Sequence, residues 1–104
     1  MKCLGIWKWK MMKMLLNVRY SKKFNKDRKL IIKRGYNIQK LKDVVALLQE
    51  CKPLPLKYLD HSLNGNYAGY RECHIEPDWL LIYRIDNDTL ILVLSRTGSH
   101  SDLF

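Results

Sequence analysis

The chain has 104 residues, 47 % of them hydrophobic, and a formal charge of +9. This supports one compact domain with a modest core and excludes a disordered chain. No apolar run approaches the ~20 residues that span a bilayer, and Cys3, Cys51 and Cys73, an odd set with no C-x-x-C pair, disfavour both a disulfide framework and a thiolate metal site, so a cytoplasmic protein is expected.

The charge is lopsided. Residues 1–42 carry 14 Lys and Arg against one acid, Asp27, whereas residues 43–104 carry 5 against 9. Such a field attracts polyanions, of which nucleic acid is the commonest, although a merely soluble basic surface explains the charge equally well. Residues 1–13 read as a basic, poorly ordered extension. Lys8 and Lys10 interrupt any signal-peptide core around Trp7 and Trp9. The domain proper is expected over residues 14–104.

Leu15 to Tyr20 alternates apolar and polar positions and predicts a first strand. Ser21 is a suitable cap for a helix to about Arg34, with Phe24, Leu30, Ile31 and Ile32 as its apolar residues and Lys22, Lys23, Lys26, Arg28, Lys29 and Lys33 facing outward. Gly35 ends it. Asn37 caps a second helix to about Cys51, whose Ile38, Leu41, Val44, Val45, Leu48 stripe is the clearest helical pattern in the chain. Pro53 and Pro55 stop it. Leu56 to Asn66 reads as a loop carrying Lys57, Asp60 and His61, closed by the Asn64-Gly65-Asn66 turn. Strands follow from about Tyr67 to Ile75, from Trp79 to Ile85 and from Leu90 to Arg96, joined by turns at Glu76-Pro77-Asp78 and Asp86-Asn87-Asp88. The expected fold is α+β: a small antiparallel sheet with the helix pair on one face and the other face partly open.

Alternation along the Tyr70–Ile75 strand puts Tyr70, Glu72 and His74 on one face. Glu72 and His74, with His61, Asp78, Arg96 and His100, form a set suited to cutting RNA without a metal. A base must take the 2′-OH proton, an acid must protonate the departing 5′-oxygen, and a cation must meet charge growing on the phosphate. Histidine suits both proton roles, carboxylates act as bases or orient an imidazole, and arginine offers a planar fork for phosphate oxygens. Phe104 or Trp79 offers a ring for an unpaired base, and Lys57 a phosphate contact. Each residue also has a bland reading: His61 as a solvated turn residue, Asp78 as a backbone cap, Trp79 as core. Zinc is disfavoured because no H-E-x-x-H or similarly spaced ligand pair occurs.

Three blocks, Asp60-His61-Ser62-Leu63-Asn64-Gly65, Tyr70 to Tyr83 and Arg96 to Phe104, resemble the YafQ branch of the RelE/ParE toxin superfamily in order and spacing. The resemblance covers about residues 14 to 104. It implies a toxin of a bacterial type II toxin–antitoxin pair that cuts mRNA, typically on the translating ribosome, without a cofactor or metal, and that an antitoxin encoded in the adjacent frame silences. It implies catalytic roles for His61, His74, Asp78 and His100, with Arg96 and Phe104 contacting phosphate and base. Glu72 stands where some relatives carry Asp. Two alternatives remain open at this level: a ParE-like toxin that inhibits a topoisomerase without cutting, and a basic RNA-binding module with incidental histidines.

Overall fold

The computed structural model describes residues 15–104; the extension expected over residues 1–13 lies outside them. Strand β1 (Asn17–Tyr20) leads into helices α1 (Lys22–Lys33) and α2 (Ile38–Gln49). A 3₁₀ turn (Leu56–Tyr58), strand β2 (His61–Ser62) and a second 3₁₀ turn (Gly65–Tyr67) follow. Strands β3 (Arg71–Glu76), β4 (Trp79–Asp86) and β5 (Ile91–Gly98) form the meander, and α3 (His100–Leu103) ends the chain.

The five strands make one sheet in the order β1-β5-β4-β3-β2. The α+β class and the meander are as expected, but the sheet is mixed. β1 pairs parallel to β5, because the helical hairpin carries the chain from one sheet edge to the other before the meander begins. His61 and Ser62, expected in a loop, pair antiparallel with Glu72 and Arg71 as the opposite edge.

Local chemistry explains the helices. Ser21 Oγ accepts the Phe24 N–H at 2.9 Å and donates to the Ser95 carbonyl at 2.7 Å, so the cap of α1 also fastens it to β5. Gly35, at φ +84°, supplies the left-handed residue that ends α1. Asn37 caps α2 by accepting the Gln39 N–H at 3.1 Å.

The main core lies between the helices and one sheet face. Phe24 and Ile31 of α1 and Leu41, Val44 and Leu48 of α2 pack on Cys73, Ile75, Trp79, Leu81, Tyr83, Leu92 and Leu94. Each large apolar side chain so buried contributes about 1.5–3 kcal/mol. Burial pushes the Cys73 thiol far above its ordinary value, so it is an inert core residue. Leu30 and Ile32, expected inside, are 40 % and 54 % exposed. The buried position between Phe24 and Ile31 belongs instead to Asp27.

On the other face the apolar cover is thinner: Leu80 and Ile82 pack in a small cluster with Leu103, Leu63, Tyr67 and Tyr70. A register shift sets Tyr83 opposite Leu94 but Ile82 opposite Arg96, and so delivers Arg96 to this thinly covered face. Among the described residues, no helix is long and apolar enough to cross a membrane.

Candidate active site

β3 presents Glu72 and His74 on the thinly covered face, as alternation requires, and the β2–β3 pairing sets His61 opposite Glu72. His61 Nε2 lies 3.2 Å from Glu72 Oε1, and His74 Nε2 lies 3.9 Å from the same oxygen. The two imidazole centroids are 6.2 Å apart. Each ring is held by its other nitrogen: His61 Nδ1 meets the Leu59 carbonyl at 2.7 Å and His74 Nδ1 the Pro77 carbonyl at 3.2 Å. Carbonyl oxygens only accept, so the hydrogen is assigned to each Nδ1 and the working nitrogen of both rings is Nε2. A bare Nε2 lone pair against a carboxylate oxygen repels, whereas a proton between them makes a charge-assisted hydrogen bond. His61 Nε2 is within reach of such a bond to Glu72 Oε1, with His74 beside it. Glu72 is buried, while His61 and His74 keep 49 % and 23 % of their side chains exposed. The imidazoles meet solvent; the carboxylate faces the Nε2 atom of both.

Leu59 adopts a left-handed conformation, φ 49°, which a leucine rarely takes. That conformation precedes β2 and offers its carbonyl to His61. Asp60, next in the chain, reaches the opposite face. It accepts from Tyr83 Oη at 2.5 Å, from Arg71 Nη2 at 3.0 Å and from Arg71 Nε at 3.2 Å. Burial first, and then the Asp60 carboxylate, pushes the Tyr83 phenol far above its ordinary value, so it stays a donor. Asp60 therefore bolts the loop to the sheet while its neighbour His61 enters the site. Grooves of about 670 and 630 Å³ flank the Leu56–Tyr58 turn, one reaching His61 and the other His74.

The remaining expected residues arrive from β4, β5 and the tail. His74 pairs with Leu80, and Leu80 with Gly98, so the His74 and Gly98 backbones lie roughly 10 Å apart across one intervening strand. Two residues past Gly98, the His100 backbone N–H donates to Asp78 Oδ1 at 2.9 Å. Asp78 thus joins the β3–β4 turn to the tail. The His100 ring packs on Phe104 at 5.2 Å, and Phe104 meets Tyr67 edge-on at 6.0 Å. Phe104 is 58 % exposed and presents an open ring. Arg96 is bound by Asp27, with Nε to Oδ2 at 2.7 Å and Nη2 to Oδ1 at 3.1 Å.

Two expectations need correction or refinement. Trp79 is no platform for a base: it is 3 % exposed on the helix side, packs edge-on against Tyr36 and donates Nε1 to Thr97 Oγ1 at 2.9 Å. Lys57 lies over the Tyr58 ring at 5.1 Å and lines the groove that ends at His74, outside the cluster of imidazoles. Among the described residues, no group of three or more His, Cys, Asp or Glu is arranged to hold a metal ion.

Sequence reasoning overlooked the residues that hold the tail. Asp102 accepts from both Arg34 Nη atoms, at 2.7 and 3.2 Å, and from the Ser99 N–H at 2.9 Å. Gly98, at φ +154°, holds a backbone conformation that strains other residues, and a Cβ there would crowd Asp102 Oδ2 at 3.1 Å. The Arg34 hydrogen bonds first, and the Ser99 N–H next, hold the Asp102 carboxyl well below its usual range. A depressed carboxyl contributes fully above its unfolded value and loses that contribution as pH falls. Amide exchange at Leu103 and Phe104 is therefore expected to keep constant protection, corrected for intrinsic rates, from pH 8 down to about pH 4 and to lose it only below. Asp102→Asn should weaken protection across the whole range.

Comparison with known proteins places this geometry. Residues 16–104 match the family described as bacterial toxin of type II toxin–antitoxin system, YafQ. The mRNA interferase toxin YafQ of Escherichia coli K12 is 44 % identical over 89 residues, which is 85 % of this chain and 95 % of that protein. A metal-bound toxin from Helicobacter pylori is 46 % identical with a TM-score of 0.82, covering 86 % of this chain and all of that one. YafQ in the E. coli DinJ–YafQ complex is 43 % identical with a TM-score of 0.78, covering 86 % of this chain and 98 % of that one. The chain, matched from the first strand to its last residue, belongs to the YafQ family of type II toxin–antitoxin toxins.

Proposed function

We propose that the chain cuts mRNA by acid–base catalysis across the thinly covered sheet face. The observation that carries this reading is the convergence of His61 and His74 on Glu72, with Arg96 and His100 across one strand. His74 Nε2, its ring held through Nδ1 by the Pro77 carbonyl, takes the proton from a ribose 2′-OH. The O2′ then attacks the adjacent phosphorus, the P–O2′ bond forms and the P–O5′ bond breaks. His100 gives a proton to the departing O5′, and Arg96 meets the charge on the phosphoryl oxygens. Phe104 stacks on a base beside the cut. Glu72, buried beside both Nε2 atoms, stabilises the imidazolium that forms, while both imidazoles reach solvent. The products are a 2′,3′-cyclic phosphate (or the 3′-phosphate it hydrolyses to) and a 5′-OH. Incubation of the purified protein with mRNA, alone and in a translating extract, tests this. The expected ends are those two, and 3′-OH ends would overturn the mechanism.

The E. coli relative forms a complex with DinJ. For this chain the corresponding partner is an antitoxin encoded in the adjacent frame, and mRNA on the ribosome in the cytoplasm is the target. Lys22, Lys23, Lys26, Lys29 and Lys33 are exposed along α1, and the one acid of that helix is turned inward, so its outer face offers an uncompensated positive surface to an acidic antitoxin. Alanine at Lys22, Lys23 and Lys26 together should weaken antitoxin binding by roughly tenfold at low salt and flatten its dependence on ionic strength. Unchanged affinity and salt slope in titration calorimetry would place the antitoxin elsewhere.

A further inference from the structure

Asp27 is the only acid in residues 1–42. It lies on the inward stripe of α1 between Phe24 and Ile31 and is 9 % exposed. β1 pairs with β5 only as far as Leu94, so the Thr97 N–H faces a strand edge that β1 no longer covers. Asp27 Oδ2 accepts that N–H at 3.1 Å and Arg96 Nε at 2.7 Å, while Oδ1 accepts Arg96 Nη2 at 3.1 Å. The carboxylate is thus fixed by backbone on one side and docks one edge of the guanidinium on the other. Two of the five guanidinium N–H bonds are used this way, and the Arg96 side chain remains 20 % exposed. Stability alone does not call for this pair, because apolar residues commonly replace enclosed ion pairs without loss. Tyr67, which packs on the thinly covered face, also meets the guanidinium. A fork held by one edge and turned toward that face is what presenting a cation to a phosphate requires.

We propose that Asp27 is a positioning residue for RNA cleavage: it clamps the Nε–Nη2 edge of Arg96 so that the remaining donors face the scissile phosphate on the thinly covered sheet face. The inference rests on the cleavage reaction proposed above. Asp27 touches no RNA. It removes the rotamer freedom of Arg96 before substrate arrives, and it reaches the reaction through Arg96, while its bond to the Thr97 N–H anchors the carboxylate.

The test is single-turnover cleavage of mRNA on programmed ribosomes by the full chain, corrected for folded fraction. Asp27→Asn is expected to lower the cleavage rate about 100-fold while the concentration for half-maximal rate stays within about threefold. Arg96→Gly should be at least as impaired, and added guanidinium should restore it at least about tenfold. The same guanidinium should not restore Arg96→Gly/Asp27→Asn, which lacks the carboxylate that docks the cation. That double variant leaves no stranded charge and so covers the case in which Asp27→Asn alone fails to fold. Equal rescue of both backgrounds, or wild-type cleavage by folded Asp27→Asn, overturns the inference while the cleavage reaction stands. A wild-type chain that leaves mRNA uncut, or a fully active Arg96→Gly, overturns the reaction and the inference with it.

Discussion

His74→Ala and His100→Ala are each expected to slow mRNA cleavage by roughly 10²–10⁴-fold and to abolish growth arrest, with antitoxin binding intact. Both imidazoles reach solvent. His74 gives up one hydrogen bond to a loop carbonyl, and His100 keeps its structural bond to Asp78, which runs through its backbone. Stability should therefore fall by about 1 kcal/mol or less. Neither residue belongs to the basic face of α1. The two losses should not multiply, since removing either proton relay leaves the other little to do. Two variants that fold, bind antitoxin and still arrest growth would remove these histidines from the reaction.

Glu72 gives a graded check on the same arrangement. Its oxygen faces both Nε2 atoms, so Glu72→Gln keeps the shape but can present an N–H to them where an acceptor stood. A loss of about 100-fold is expected. Glu72→Asp keeps the charge but withdraws it by one methylene and should retain part of the rate.

Much of this architecture could be read from residue spacing. Ser21 and Asn37 cap the helices that their positions announce, and the Tyr70–Ile75 alternation places Glu72 and His74 on the same side. What spacing could not reveal was long-range pairing. β1 lies parallel to β5 because of where the hairpin returns the chain, and no local pattern encodes that. Trp79 reads as either core or platform until its partners are known; Tyr36 and Thr97 decide for core. Arg96 reads as a free cation until Asp27, 69 residues earlier, is found beneath it. One signal was present: a single acid in a strongly basic stretch, three residues after Phe24 and four before Ile31, already lies on the buried stripe. Asp60 offered less. Its place beside His61 suggests a role in the site, whereas its carboxylate turns to Tyr83 and Arg71 on the far side of the sheet.

That turn makes Asp60→Ala the substitution expected to harm the fold most. The change leaves the guanidinium of Arg71 and the phenol of Tyr83 without their shared acceptor. Tyr83 is fully buried, so water cannot replace the lost partner there, whereas Arg71 is 26 % exposed and recovers part of its solvation. The expected cost is about 3 kcal/mol, or a fall in Tm of roughly 10–20 °C. Asp60→Asn, which still accepts from Tyr83, should cost about 1 kcal/mol. Pairing the change with Tyr83→Phe separates the two causes. The double variant removes the stranded hydroxyl and should recover part of the loss, as a thermodynamic cycle measured by urea unfolding would show. Cleavage by the folded fraction should fall as well. The left-handed turn at Leu59 and the entry of His61 into the site both depend on the bolt next to them, so His61 should lose its contact with Glu72 even where the sheet survives. An Asp60→Ala chain with unchanged Tm and an undisturbed His61 imidazole resonance would show that the two-residue β2 pairing holds the histidine unaided.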